Sequence, residues 1–226
     1  MTTSMRRQSI VTATVAGRAL CLIAGALLMM PAVANAQSQQ VESGTWRITA
    51  STGAYVPFSS LIKSADTHDT RLAAGPAFAL ESHYLAASFA SVYANGTLAF
   101  GTIQLGSAIR PAVVGPSNQV MLVAGTAGIV FTATDWLGEH VQPTFRLGGG
   151  IKWYSLDLTE SENQVRPTGD IGLGLRGIGI GAIEVTTEVR YLPSSFDQAK
   201  LPTRGIAPQK QRQNDLFFSI GIGIRP

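Results

Sequence analysis

The most regular feature of this chain is an alternation of apolar with polar or small residues at a period of two, the period of a strand with two different faces. It is clearest at the end, where Asp215-Leu216-Phe217-Phe218-Ser219-Ile220-Gly221-Ile222-Gly223-Ile224 sets Leu216, Phe218, Ile220, Ile222 and Ile224 against Ser219, Gly221 and Gly223. Seven earlier segments repeat the pattern less cleanly. The first, Thr45 to Val56, has Trp46, Ile48, Ala50 and Ala54 opposite Arg47, Thr49 and Ser51. The second runs from Phe78 to Tyr93, and its phase slips near Leu85-Ala86, the signature of a bulge. Asn95-Gly96 then predicts a type I′ hairpin turn, because both central positions of that turn need positive φ.

The third strand is predicted over Thr97 to Ala108 and the fourth over Gln119 to Thr132. The fifth, Thr144 to Asp157, alternates Phe145, Leu147, Ile151 and Trp153 with Arg146, Gly148, Gly150 and Lys152. The sixth, Thr168 to Arg176, sets Ile171, Leu173 and Leu175 against Asp170, Gly172, Gly174 and Arg176. The seventh, Ala182 to Leu192, sets Ile183, Val185, Val189 and Tyr191 against Glu184, Thr186, Glu188 and Arg190. Few segments follow the helical period, so the expected class is all-β. Most strands reach the ~9–11 residues that a tilted strand needs to cross a bilayer. Longer connections (Pro57 to Gly75, the loop holding Arg110-Pro111 and Gly115-Pro116-Ser117-Asn118, Thr159 to Pro167, Pro193 to Gln213) broadly alternate with shorter ones (Asn95-Gly96, Gly177 to Gly181) and an intermediate one (Asp135 to Gln142). That asymmetry suits a barrel with short turns at one end and long loops at the other.

The start of the chain changes how charge is read. Arg6, Arg7 and Arg18 precede or flank an apolar run from Ala19 to Met30, and Ala34-Asn35-Ala36 supplies an A-x-A cleavage site. Residues 1–36 are expected to be a cleaved secretory signal, leaving 37–226 as a single domain. The chain holds 17 Lys+Arg against 14 Asp+Glu. Removing the three leader arginines balances the remainder, so the basic excess gives no reason to expect nucleic-acid binding. Cys21 leaves with the leader, and the mature chain then has no thiol for a disulfide or a metal.

Signal, eight alternating strands, loop asymmetry and terminal strand together resemble the small outer-membrane β-barrel proteins, the group that includes the OmpA membrane domain and OmpX. The resemblance covers the mature chain and lies in architecture; no short motif carries it. The ending Ile224-Arg225-Pro226 departs from it, since such barrels usually close on an aromatic residue. It implies a single closed, antiparallel, up-and-down transmembrane barrel in the outer membrane of a Gram-negative-type bacterium. The N-terminus would be periplasmic, the long loops extracellular, and the chain a monomer. The lipid, lipopolysaccharide and the barrel-assembly machinery would be its partners.

With the apolar face outward, Arg47, Arg146, Lys152, Asp170, Arg176, Glu184, Glu188 and Arg190 share the inner face. An eight-stranded barrel is only wide enough inside for side chains. These eight are therefore expected to cross-link a closed lumen through ion pairs, the alternative being a polar pathway for solutes. In the last loop, Lys200, Arg204, Lys210 and Arg212 form a candidate contact for lipopolysaccharide phosphates.

Other motifs are weaker. Gly172-Leu-Gly174-Leu-Arg-Gly177 has dinucleotide-fingerprint spacing, but Ile178-Gly179-Ile180-Gly181 cannot supply the helix that would meet a pyrophosphate. Asp66-Thr67-His68-Asp69 gathers potential metal ligands in what reads as a solvated loop; His83 and His140 are isolated, and no Ser–His spacing implies a nucleophile. No catalytic residue, cofactor or metal is assigned. The expectation is a non-enzymatic barrel with a structural or surface-interaction role. A narrow pore or hydrophobic-solute (porin-like) conduit stands behind it, then an envelope enzyme, then a soluble periplasmic barrel of lipocalin type.

Overall fold

The computed structural model describes residues 44–62, 70–104, 119–133, 141–156, 163–178, 182–197 and 210–224. Ten strands form in chain order: β1 (Trp46–Pro57), β2 (Ser60–Ile62), β3 (Thr70–Leu72), β4 (Gly75–Ala87), β5 (Ala90–Gln104), β6 (Gln119–Thr132), β7 (Val141–Leu156), β8 (Gln164–Ile178), β9 (Ile183–Asp197) and β10 (Lys210–Ile224). Eight of them pair antiparallel in the cyclic order β1-β4-β5-β6-β7-β8-β9-β10, and β10 returns to β1 through a ladder from Ile48↔Ile224 to Pro57↔Asp215. The result is a closed up-and-down barrel, as the alternation implies. Closure leaves no open edge among these eight strands, so their backbone donors and acceptors are paired around the wall.

β2 and β3 lie within the connection from β1 to β4. β3 pairs with the end of β5 through Leu72↔Ile103, and β2 pairs with β3. Phe58 N donates to Asn214 O at 2.9 Å, and Asn214 N donates to Ser59 Oγ at 3.1 Å. This small hairpin carries the wall upward where β1 and β4 stop. The barrel thus has a terminus end, holding the start of β1 and the end of β10, and a loop end beyond Pro57 and Gly75.

One hairpin differs from expectation. Asn95 and Gly96 sit in the middle of β5, paired with Glu81 and Leu80 on one side and Thr126 and Gly125 on the other. The turn lies at Ser88-Phe89, just past a register shift between Leu85 and Ala87, where the phase slip marks a bulge. Local turn propensity loses because Ser91, Tyr93, Asn95, Thr97 and Ala99 keep the period of two and all point inward. The last connection is also shorter than expected. β9 and β10 continue their ladder to Asp197↔Lys210, through residues 193–197 and 210–213, which the alternation alone leaves in the loop.

The two faces of the wall have opposite chemistry. Large apolar side chains stand exposed on the outside, among them Ile48, Leu80, Ile151, Leu173 and Ile222. Tyr84, Val92, Ile129, Leu147 and Ile171 follow one another in register from β4 to β8, making a continuous outward row. Two glycines permit close strand approach on the inner face. A Cβ on Gly53 would meet Phe218 O at 1.8 Å, and one on Gly150 would meet Gly125 O at 1.9 Å.

Candidate functional site

The lumen gathers the chain's buried charge, and it is built in three levels. At the terminus end, Arg47 of β1 donates through Nη1 to Glu184 Oε2 of β9 at 3.2 Å, and Arg176 Nε of β8 lies 3.7 Å from the same oxygen. Two guanidiniums thus flank one carboxylate.

The middle level is the most densely bonded. Arg146 Nη1 donates to Glu188 Oε2 at 2.6 Å, Nη2 donates to Glu81 Oε2, and Nε lies 3.8 Å from Asp170 Oδ2. Its guanidinium also stands 4.0 Å over the ring of Tyr93. Arg190 holds Asp170 with two bonds, Nη2 to Oδ2 at 2.7 Å and Nε to Oδ1 at 3.2 Å. Its Nη1 reaches Asn95 Oδ1 and Thr97 Oγ1, both at 2.9 Å. Asp170 Oδ2 further accepts from Thr126 Oγ1 at 2.7 Å and Tyr93 Oη at 2.9 Å. Glu81 accepts from Asn95 Nδ2 at 3.0 Å and is paired with His83. A charge removed from water needs this density of partners, because a buried ion lacking one of them costs several kcal/mol.

Near the loop end, Asp215 is the centre. Lys152 Nζ donates to its Oδ2 at 2.6 Å and to Leu192 O at 2.7 Å. Tyr154 Oη donates to Oδ2, and Tyr55 Oη and Gln213 Nε2 donate to Oδ1, each at 3.0 Å. Rings enclose this cage: Tyr55 and Phe217 have centroids 5.3 Å apart, and Tyr154 and Phe196 meet edge-on at 5.6 Å. Leu72, Ala99, Ile103, Leu122 and Leu192 complete an apolar core inside the barrel.

All eight inner-face candidates point into the lumen; Glu188 keeps 21% of its side-chain surface, and the other seven are buried. Seven further participants are not assigned to the lumen by the sequence pattern alone; two of them, Phe196 and Gln213, lie in residues that the alternation leaves in the last loop. Glu81, His83, Tyr93 and Asn95 fall in the stretch whose phase and turn were misplaced, and continuing the inward period through Asn95 would have found them. Asp215 opens the terminal segment that the alternation predicts, lies inside β10 in the structure, and shares the parity of Ser219, so the alternation holds its signal. The inner face of that strand also carries Phe217, a large aromatic where the pattern foresaw only Ser and Gly.

Of the basic loop candidates, Lys200 and Arg204 lie outside the described residues, as does the side chain of Lys210; Arg212 is exposed on β10. Asp66, His68, Asp69 and His140 also lie outside them. Gly172 and Gly174 are interior positions of β8, paired on both sides, so the G-x-G-x-x-G spacing belongs to a strand, and among the described residues no helix follows it to meet a phosphate.

His83 is not isolated. Its Nδ1 is 3.4 Å from Ser91 Oγ and its Nε2 faces Glu81, a serine–histidine–glutamate set by composition. Ser91 is buried and does not line the chamber that adjoins His83, while Glu81 is held by Arg146 and Asn95. A nucleophile needs space for its acyl group, and the chamber beside His83 does not extend to Ser91. That chamber, about 40 Å³, lies between the lower two levels and is lined in part by Arg47, Thr49, Glu81, His83, Arg176 and Glu188.

No known protein family matches the chain, and no characterised protein matches it in sequence. Solved structures do. Neisserial surface protein A aligns at 14% identity and a TM-score of 0.56, covering 80% of this chain and 97% of that one. OprG, an outer membrane protein of Pseudomonas aeruginosa, aligns at 12% identity and 0.55, covering 85% and 99%. The outer membrane protein AlkL, determined in DMPC lipid bilayers, aligns at 15% identity and 0.53, covering 84% and 94%. At such identities the likeness is one of fold, and the fold is that of the small eight-stranded outer-membrane β-barrels.

Proposed function

We propose that this chain is an integral outer-membrane barrel with a side-chain-filled, non-conducting lumen and a structural or surface-interaction role rather than an enzymatic one. The observation that carries the reading is the inversion of the wall: apolar residues outward in register, charged residues inward in ion pairs. A barrel in water would reverse that arrangement, because a monomer rarely exposes an apolar patch above a few hundred Å². Trp46 and Tyr84, 5.1 Å apart and both exposed at the terminus end, suit one lipid interface.

The terminus end is assigned to the periplasm in this reading: the intervals between strands there are 88–89, 133–140 and 179–182, and those at the other end, 58–74, 105–118, 157–163 and 198–209, are longer on the whole. The N-terminal 36 residues act as the export signal in this reading. The loop-end segments face outward from the cell and carry whatever interaction the protein makes. Lys200, Arg204, Lys210 and Arg212 supply cations there for lipopolysaccharide phosphates.

Membrane fractionation followed by gels of boiled and unboiled sample tests the placement. The expected result is an outer-membrane protein whose folded form migrates differently from the boiled form; a soluble periplasmic species without that shift overturns it. Planar-bilayer recording tests the closed lumen, and steady current through the wild-type barrel would replace it with the pore reading.

A further inference from the structure

The outward face of the wall is not evenly covered. Between the row from Tyr84 to Ile171 and the row of Phe78, Leu98, Val123 and Trp153, the outward positions of β4 to β7 become small. One row there reads Leu80, Gly96, Gly125, Ile151 in register; the next reads Ser82, Ala94, Ala127, Gly149. The result is a groove of about 530 Å³ that opens to the outside, with Ile48, Leu80 and Ile151 standing up at its sides. Its floor crosses four strands, about 14 Å at the usual strand spacing.

The barrel's own packing does not require this groove. A Cβ on Gly96 or Gly125 would meet nothing within 4 Å, unlike one on Gly53 or Gly150. Glycine weakens a strand interior, and where no internal contact demands it, it suits a place where another surface comes close to the backbone. That surface is apolar, since among the described residues Ser82 alone brings a polar side chain to the outward floor.

In a bilayer the gain from contact lies in van der Waals fit rather than in escape from water, and small residues supply it by admitting a neighbour closely. A flexible acyl chain gives up rotational freedom to lie in a groove, whereas a side chain already ordered on a rigid wall gives up little. Leu80 is such a side chain: it stands 60% exposed beside Gly96, a knob next to a hole. Copies of one chain insert in the same sense, so a closed pair has its two-fold axis along the bilayer normal. A knob beside a hole on one copy then faces a hole beside a knob on the other.

We propose that two copies of the chain pair side by side in the membrane through this groove, Leu80 of each resting over Gly96 and Gly125 of the other. The pair replaces the monomer that the architectural resemblance implies. It rests on the membrane placement and not on the closed lumen.

The chain has one cysteine, Cys21, so Cys21→Ser/Asn163→Cys carries a single thiol at an exposed loop-end position. Donor-labelled and acceptor-labelled batches are refolded together in phosphatidylcholine vesicles, and energy transfer is followed as lipid is added. The expected result is transfer that persists at dilutions where chance encounters give none. Gly96→Leu and Gly125→Leu fill the hole and Leu80→Ala removes the knob; each should weaken pairing roughly tenfold. Leu173→Ala, on β8 outside the groove, should leave it unchanged. Folding of each variant is read from the unboiled band, and Ala127→Leu replaces a filling variant that does not show it. Transfer at the chance level in the parent chain, as a groove filled by lipid alone would give, overturns the proposal. So does pairing that none of the three groove variants weakens. A chain found outside the membrane fraction overturns the placement and this contact with it, whereas a membrane-bound chain that stays single overturns the contact alone.

Discussion

Lys152 of β7 and Asp215 of β10 face each other across the lumen at 2.6 Å, from strands with β8 and β9 between them, and neither side chain has any exposed surface. They are 63 positions apart in sequence, and the pair exists only because β7 and β10 curve around the same interior. Removing one partner should therefore leave an uncompensated ion. Asp215→Ala is expected to lower unfolding stability by about 3–5 kcal/mol, measured by urea titration with tryptophan fluorescence. The double variant Lys152→Met/Asp215→Leu should lose much less than Asp215→Ala alone.

The middle level gives a contrast within one network. Arg146 serves Glu81, Glu188 and the face of Tyr93, and it is almost fully buried. Arg146→Met should cost about 3–5 kcal/mol because two carboxylates lose their partner together. Glu188→Gln touches a partly exposed group and should stay within about 1 kcal/mol. Equal losses in the two variants would mean the network does not hold the wall as the geometry implies.

Outward substitutions test the environment of the belt. Leu147 is exposed in the middle of a continuous apolar row from β4 to β8. In a bilayer Leu147→Arg should cost about 2–4 kcal/mol, falling toward zero for the same change near either end of the wall. In a water-soluble barrel the change would be neutral, so refolding yields in lipid vesicles decide the point.

Glycines separate into two kinds. Gly53→Ala and Gly150→Ala would push a Cβ against the carbonyl of a neighbouring strand and should sharply reduce the folded, unboiled band. Gly96 and Gly125 have nothing within 4 Å of where a Cβ would stand. Gly96→Ala and Gly125→Ala should be neutral or stabilising by about 0.5–1 kcal/mol, since alanine lowers the entropy of the unfolded chain.

The basic segment of the last connection calls for a comparison of lipids. Replacing Lys200, Arg204, Lys210 and Arg212 together with Ser should lower thermal stability in lipopolysaccharide-containing bilayers and leave it unchanged in phospholipid alone. Equal stability of both proteins in both lipids removes that contact from the functional reading.

Much of the wall was legible along the chain. A period of two is a statement about faces, and it placed Arg47, Arg146, Lys152, Asp170, Arg176, Glu184, Glu188 and Arg190 on one side before any strand was paired. It also marked the bulge at the end of β4. The reading failed where a short-range signal competed with a long-range one. Asn95-Gly96 has the chemistry of a hairpin turn, yet Asn95 is needed inside, where its amide bonds Glu81 and its carbonyl receives Arg190.

The number of strands in the barrel wall, the identity of the two faces and the antiparallel class are thus properties of the sequence itself, because alternation is local and survives without partners, whereas the short β2 and β3 inside the predicted first loop are not. Which charge meets which is not. Arg47 with Glu184, Arg146 with Glu81 and Lys152 with Asp215 lie far apart in sequence, and their pairing depends on the register around the whole ring and on closure of β10 against β1. The placing of a small polar chamber between the lower two levels and an aromatic cage near the loop end belongs to the same level. Tyr55, Tyr154, Phe196 and Phe217 come from four strands, and only the closed barrel brings their rings to one height.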